Sequence, residues 1–185
     1  MITKERALDI LKENIHNANL RKHHYAVAAA MRELAKELEG DPHRWEIVGL
    51  LHDADYEQTG DTPERHTLVI SEIMREEGVA EDIIRAIQSH NVKHTGVEPR
   101  TLMDWALYSC DDLTGLIVAV ALVHPTKLDG VSVESVLKKF GSKSFASGAD
   151  REKILTCEEE LNLELDYFID LVLRAMKKEA DLLGL

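Results

Sequence analysis

Cysteine is scarce in this sequence, and its two cysteines, Cys110 and Cys157, do not form a C-x-x-C pair. Neither a thiolate zinc site nor a disulfide framework can be argued from them, and we expect both side chains to be buried in a reducing compartment. Long apolar runs are also missing, because no stretch approaches the ~20 apolar residues of a membrane helix. The N-terminal residues carry charges throughout, unlike a signal peptide. We therefore expect a cytoplasmic protein with no membrane partner.

Basic residues are outnumbered: the chain has 22 Lys and Arg residues against 34 Asp and Glu residues, and its formal net charge is -12. Such a chain repels nucleic acid unless a local basic patch intervenes. The sequence has no basic cluster with interleaved aromatic residues, so we expect no nucleic acid partner. A phosphorylated substrate remains compatible with the net charge, because bound divalent cations would offset the negative charge where the substrate docks.

Runs of alternating β-branched residues are few, and apolar residues instead recur at helical spacing. The sequence predicts an all-α, single-domain helical bundle, since 185 residues fall within the range of one hydrophobic core. Asp41-Pro42 and Thr62-Pro63 each match an N-cap followed by proline at the first helical position. The predicted helices begin near Thr3 and then cover residues 20–39, 42–52, 63–78, 81–91, 101–123, 132–140 and 150–182.

Several ionisable residues fall on the apolar stripe of a predicted helix, where an unpaired polar side chain would be costly. They are His23, His52 with its neighbour Asp53, His66, His90, and either Asp111 or Asp112, which periodicity does not separate. Helical bundles build metal sites in their cores in this way, with inward side chains from several helices. Histidine and carboxylate ligands suit divalent Fe, Mn, Co, Ni or Zn.

Three segments, RKHHYAVAAAMRELA, WEIVGLLHDADYE and ALYSCDDLTGLIVAVALV, together resemble the HD superfamily of metal-dependent phosphohydrolases. Its signature is a histidine, a later His-Asp pair and a distal aspartate. The resemblance implies that His23, His52, Asp53 and Asp111 hold a metal ion, with Asp111 chosen because it precedes an acidic-Leu-Thr-Gly sequence. It covers residues 19–125, which implies a metal-binding core there and a C-terminal helical extension over 126–185.

The segment ERHTLVISEIMREEGVAEDIIRAIQSHN resembles the region of the dinuclear members that carries two extra histidines. The resemblance implies that His66 and His90 hold a second ion, with Asp53 bridging the two. The implied activity is that of a phosphomonoesterase or phosphodiesterase, in which a metal-activated water hydrolyses a small phosphorylated metabolite or nucleotide. Two alternatives stay open: a di-iron oxygenase on the same fold, and a nucleotide-sensing module without turnover.

Residues near the expected metal ligands are candidates for catalysis and substrate binding. Asp55 and Glu57 follow the His-Asp pair and could act as a general base. Positive charge for a phosphoryl group could come from the loop after His90 or from the loop GSKSFASG at 141–148. The substrate-binding candidates are Lys93, His94, Arg100, Lys143 and Arg151. The apolar face of the C-terminal helix closes the bundle or contributes to a homodimer interface.

Overall fold

A computed structural model describes residues 2–185, and in that range the chain forms helices and loops without any β-strand. The all-α prediction is therefore confirmed. The α-helices, in chain order, are α1 (Lys4–Asn14), α2 (Ala18–Glu37), α3 (Pro42–Leu51), α4 (Tyr56–Thr59), α5 (Leu68–Glu76), α6 (Glu81–His90), α7 (Val92–Thr95), α8 (Leu102–Val123), α9 (Val133–Phe140), α10 (Arg151–Glu160), α11 (Leu165–Lys178) and α12 (Ala180–Leu183), with a 3-10 turn at Lys127–Gly130 before α9.

The α2 and α3 helices pack with their backbones close together. A Cβ atom at Gly49 of α3 would lie 2.6 Å from the Cα atom of Ala28 in α2. The small side chain of Ala28 and the missing side chain of Gly49 let the two helices lie this close together. This close approach fixes the two helices that carry His23 and His52.

The longest helix, α8, packs against α2, α6 and α10 and forms the centre of the fold. A capping box between Thr101 and Asp104 sets its start. By length and composition α8 could cross a membrane, although the sequence predicted no membrane helix. Core helices pass the same test, and more than half of the apolar stretch is buried inside the protein. Its packing makes α8 the core element that carries Asp111.

The chain departs from the predicted helices in two places. The first is the helix expected to start at Pro63: residues 63–67 form turns, and α5 begins only at Leu68 after Thr67, whose φ of 72° is left-handed. The second is the helix predicted over 150–182, which forms three helices: α11 and α12 are separated at Glu179, and α10 and α11 are separated at Asn162, where φ is 55°. Asparagine adopts this conformation more readily than most residues, and the break buries both Leu161 and Leu163.

Candidate metal centre

Imidazoles and carboxylates from several helices converge beside α8. The Nε2 atom of His23, on α2, lies 2.9 Å from Oδ1 of Asp111 on α8. The Nε2 atom of His52, which directly follows α3, lies 3.2 Å from Nε2 of His23 and 3.5 Å from the same Asp111 oxygen. His52 is fully buried, whereas His23 is about a quarter exposed. This half of the centre is therefore open to solvent on the His23 side.

Asp53 stands between two groups of histidines. Its Oδ1 atom lies 3.2 Å from Nε2 of His66 and 3.1 Å from Nε2 of His90. Its Oδ2 atom lies 3.6 Å from Nε2 of His52 and 4.0 Å from Nε2 of His23. Each carboxylate oxygen thus faces one histidine pair, and the residues form two groups that could each hold a metal ion, His23–His52–Asp53 and Asp53–His66–His90.

Hydrogen bonds on the far side of three imidazoles fix which nitrogen points into the centre. The Nδ1 atom of His52 donates to the Gly49 carbonyl at 2.9 Å, and that of His90 donates to the Ile87 carbonyl at 2.6 Å. The Nδ1 atom of His66 donates to Oδ1 of Asp55 at 2.8 Å. A neutral histidine that donates through Nδ1 carries a lone pair on Nε2, so in their neutral form these three imidazoles present Nε2 lone pairs to the centre.

Two nitrogen lone pairs that face each other with no proton or cation between them repel. The spacing of the inward nitrogens therefore tests whether these residues fit a metal ion. The Nε2 atoms of His66 and His90 are 3.3 Å apart, and both lie within 3.2 Å of the Asp53 carboxylate. Either protons or a cation must lie among these atoms. Outer hydrogen bonds from Nδ1 to a carbonyl or carboxylate are the usual support of metal-bound histidines. The donor set and its orientation therefore fit divalent metal ions.

The carboxylates and imidazoles of the centre shift the pKa values of one another. Burial lowers the pKa of His52, but Asp53 and Asp111 outweigh it and raise that pKa to about 9. Burial likewise opposes the charge of His66, and hydrogen bonds with Asp53 and Asp55 raise its pKa to about 10. Burial opposes the ionisation of Asp53 and Asp111, yet the nearby histidines hold both pKa values well below the usual range. The carboxylates thus stay ionised and hold positive charge around them.

Asp111 and Asp112, which periodicity did not separate, have different surroundings. Asp111 lies in the centre beside His23 and His52. Asp112 accepts a hydrogen bond from the Asp150 backbone at 2.8 Å, and its pKa is raised to about 6 by burial and by the charge of Asp111. The structure therefore brings the first aspartate to the histidines and directs the second toward the start of α10.

The two carboxylates considered as general bases have other partners. Asp55 is fully buried, and its second oxygen accepts a hydrogen bond from the Ile70 backbone N–H at 3.0 Å while the first holds His66. Neither oxygen is free to face a substrate, which argues against the general-base hypothesis for Asp55. Glu57 accepts hydrogen bonds from the backbone N–H groups of His16 at 3.0 Å and Asn17 at 2.6 Å, so it holds the link between α1 and α2.

The positive side chains singled out from the sequence lie outside the clefts that open at His23. Lys93 and His94 are exposed on α7, and Arg100 is exposed before α8. Lys143 and Arg151 line a groove along the 141–148 loop that adjoins the depression at His23, since the two share Gly148 and Ala149. The Arg151 guanidinium donates to backbone carbonyls of this loop, including Phe145 and Ala146 at 2.6 Å each, so it is engaged in holding the loop together.

Two neighbours of the centre were not singled out by sequence. His24 is buried against His52 with a ring separation of 5.0 Å, and burial lowers its pKa to about 3, so it stays neutral. Tyr56 is half exposed and stands edge-on to the His66 ring at 5.8 Å. The one sequence feature that could have identified Tyr56 as a neighbour of the centre is its position shortly after the His-Asp pair, and this feature is weak evidence.

The chain is similar in sequence to known proteins. The model of the HD domain family matches residues 20–121. Ribonuclease Y of Acidothermus cellulolyticus is 31% identical over 100 residues, covering 54% of this chain and 20% of that protein. Ribonuclease Y of Oleidesulfovibrio alaskensis is 26% identical over 161 residues, covering 82% of this chain and 30% of that protein. No solved structure gives a significant match.

Taken together, the fold and the site define an all-helical domain with a histidine–aspartate centre that fits divalent metal ions. The chain belongs to the HD domain family, since the family model covers more than half of its length. Members of this family are generally metal-dependent phosphohydrolases. The chain spans less than a third of the length of either ribonuclease Y that it matches.

Proposed function

We propose that this protein is a phosphohydrolase that binds two divalent transition-metal ions and hydrolyses a small phosphorylated metabolite or nucleotide. One observation carries the proposal: the two oxygens of Asp53 face different histidine groups, His23 with His52 on one side and His66 with His90 on the other. A carboxylate in this position can bridge two ions. Divalent Fe, Mn, Co, Ni or Zn would suit the nitrogen and oxygen donors.

A pair of ions bound there would supply a nucleophilic hydroxide at neutral pH and a counter-charge for phosphoryl oxygens. The chain itself orients the donors. Carbonyls of Gly49 and Ile87 and the carboxylate of Asp55 hold three imidazoles with Nε2 inward. The full burial of His52 excludes water from the inner side of the centre, while His23 is partly exposed and leaves an approach for the substrate.

The relatives support hydrolysis of phosphate esters, since both are named ribonuclease Y. We do not propose that this chain acts on the same substrate as these relatives, because its net charge of -12 opposes binding of a long polyanion. A small substrate needs only the local charge of the metal centre. We therefore propose a mononucleotide-sized or smaller phosphoester as the substrate.

Elemental analysis of protein purified without chelator tests the metal centre, and phosphate or nitrophenol release tests the reaction. We expect about two ions per chain, falling to about one in His66→Ala, because this variant loses a ligand of the second group only. His16→Ala removes an exposed histidine and is the matched control. Activity on p-nitrophenyl phosphate or bis-p-nitrophenyl phosphate would separate a monoesterase from a diesterase.

Several outcomes would contradict the proposal. About one ion in both the parent and His66→Ala would refute the dinuclear centre. Failure to retain any metal after reconstitution would refute metal-dependent hydrolysis. Oxygen consumption by the iron-loaded protein, with no release of phosphate or nitrophenol, would replace the hydrolase proposal with a di-iron oxygenase.

A further inference from the structure

A cleft of about 420 Å³ opens beside the metal centre. The start of α2 lines one side with Asn19, Lys22 and His23. The second half of α8 lines the other with Gly115, Val118 and Leu122. Residues 183–185 close one end. The cleft is large enough for an organic group the size of an aromatic ring.

This cleft continues into the metal centre. A neighbouring depression of about 300 Å³ shares His23 and Gly115 with it and is also lined by Asp111. Because His23 and Asp111 are 2.9 Å apart within the first group of metal ligands, a substrate can reach both spaces at once. A phosphoryl group at the centre would therefore have its organic group directed along α2 and α8.

Gly115 keeps this passage open. It lies in the middle of α8, one turn after Asp111 and on the same face. Glycine is among the least favourable residues in a helix interior, and here no packing requires it, because a Cβ at this position would meet no atom within 4 Å. The missing side chain leaves free space next to His23 and Asp111. A substrate that reaches from the cleft to the metal centre would lie in that space.

The walls of the cleft indicate the chemistry of its occupant. Leu122 is 67% exposed and Val118 is partly exposed, so an apolar surface faces the open space. Lys22 is the one lysine or arginine among the described residues that line it, and its Nζ atom lies beside Gly184. An occupant that matches the apolar wall and the adjoining metal centre has an apolar part that covers α8 and an anionic part at the centre.

We infer that this cleft is the binding site for the leaving group, and that the substrate is a phosphoester of a hydrophobic or aromatic alcohol. This inference rests on the proposed phosphohydrolase function and specifies its substrate class. The phosphoryl group lies at the metal centre, and the carbon-rich group packs on Val118 and Leu122. Gly115 provides the clearance between the two parts.

Calorimetric binding of benzylphosphonate and methylphosphonate to the metal-loaded protein tests this arrangement, because a P–C bond is not hydrolysed as an ester is. Burial of the benzyl ring should make benzylphosphonate bind roughly tenfold tighter or more. Gly115→Leu fills the passage, and Leu122→Asp places a charge on the apolar wall. In both variants the ratio of the two dissociation constants should fall toward unity.

The matched control is Leu102→Asp, which makes the same change at an exposed leucine at the other end of α8 and should retain the preference for the benzyl group. Equal binding of both phosphonates by the parent protein would overturn the leaving-group site and leave the hydrolase proposal intact. An unchanged ratio in both Gly115→Leu and Leu122→Asp would also overturn it. If neither phosphonate binds and no phosphoester is hydrolysed, both proposals fail.

Discussion

Asp55 connects the start of a helix to the orientation of a metal ligand, and replacing it by asparagine should separate the two roles. Its two oxygens accept from the Ile70 backbone N–H at 3.0 Å and from Nδ1 of His66 at 2.8 Å. An asparagine has one oxygen and one NH₂ group. If the oxygen keeps the Ile70 bond, the NH₂ group faces His66, and that imidazole must accept through Nδ1 and carry its proton on Nε2.

A proton on Nε2 of His66 blocks the atom that faces Asp53 and His90. Loss of such an outer hydrogen-bond partner lowers metal affinity by about 10- to 100-fold. The other orientation of the amide leaves the buried Ile70 N–H without an acceptor, which costs about 1–3 kcal/mol of stability. Asp55→Asn should therefore either weaken binding of one ion of the pair by about 10- to 100-fold or make the folded chain less stable by about 1–3 kcal/mol, depending on which bond the amide oxygen keeps.

The measurements are metal titration by calorimetry and thermal unfolding in the presence of chelator. Asp104→Asn is the matched control, because Asp104 is equally buried and accepts from the backbone N–H groups of Arg100 at 2.8 Å and Thr101 at 3.0 Å, at the start of α8. Asp104→Asn should lose similar stability and keep both ions. If Asp55→Asn keeps both the parental metal affinity and the parental stability, or if both variants lose metal equally, the reasoning is refuted.

Two further predictions concern pH and packing. The folded-state pKa values of His52 and His66 are about 9 and 10, above the ordinary value of 6.5. The stability that these two histidines contribute without metal is therefore fully present below pH 6.5 and is lost as the pH rises through 9 and 10. Melting temperature in chelator should fall over that interval, whereas metal affinity should rise because the ions compete with those protons; a flat profile in chelator would contradict this. Gly49→Ala places a methyl group 2.6 Å from the Cα atom of Ala28, so the free energy of unfolding should drop by about 1–3 kcal/mol in urea titrations, and an unchanged value would show that α2 and α3 can move apart freely.

Local chemistry in the sequence predicts some helix boundaries and fails at others. Asp41-Pro42 and Thr62-Pro63 have equivalent capping patterns, yet α3 begins at the first and turns form at the second. The difference is tertiary. The segment after Pro63 carries His66 to Asp55 before α5 starts, and Asp55 takes the capping position at Ile70 that a residue next to the helix would otherwise fill.

The inward histidines could be predicted because each occupies the same helical spacing in the sequence as the apolar residues that face the core. His66 and His90 are brought to Asp53 in the way that the resemblance implies. The residues that accept hydrogen bonds from the outer nitrogens of these imidazoles show no such pattern. Asp55 looks like a surface carboxylate in a short polar loop and is fully buried, since its environment is created by the fold and not by its neighbours in sequence. Lys22 was missed for the same reason: its contact with the cleft depends on α8 and the chain end.

The acidity of the chain and an anionic substrate are compatible because charge acts locally at the centre. Asp53, Asp55 and Asp111 bring three negative charges close to the four neutral imidazoles of the metal-loaded state. Two divalent ions would add four positive charges and offset the negative charge of these carboxylates. The acidic surface elsewhere then favours small anions over long ones, because only a compact substrate can contact the centre without lying along that surface. Loss of one ion would make the centre net negative, so phosphonate binding should weaken sharply in His66→Ala even though the cleft along α8 is unchanged.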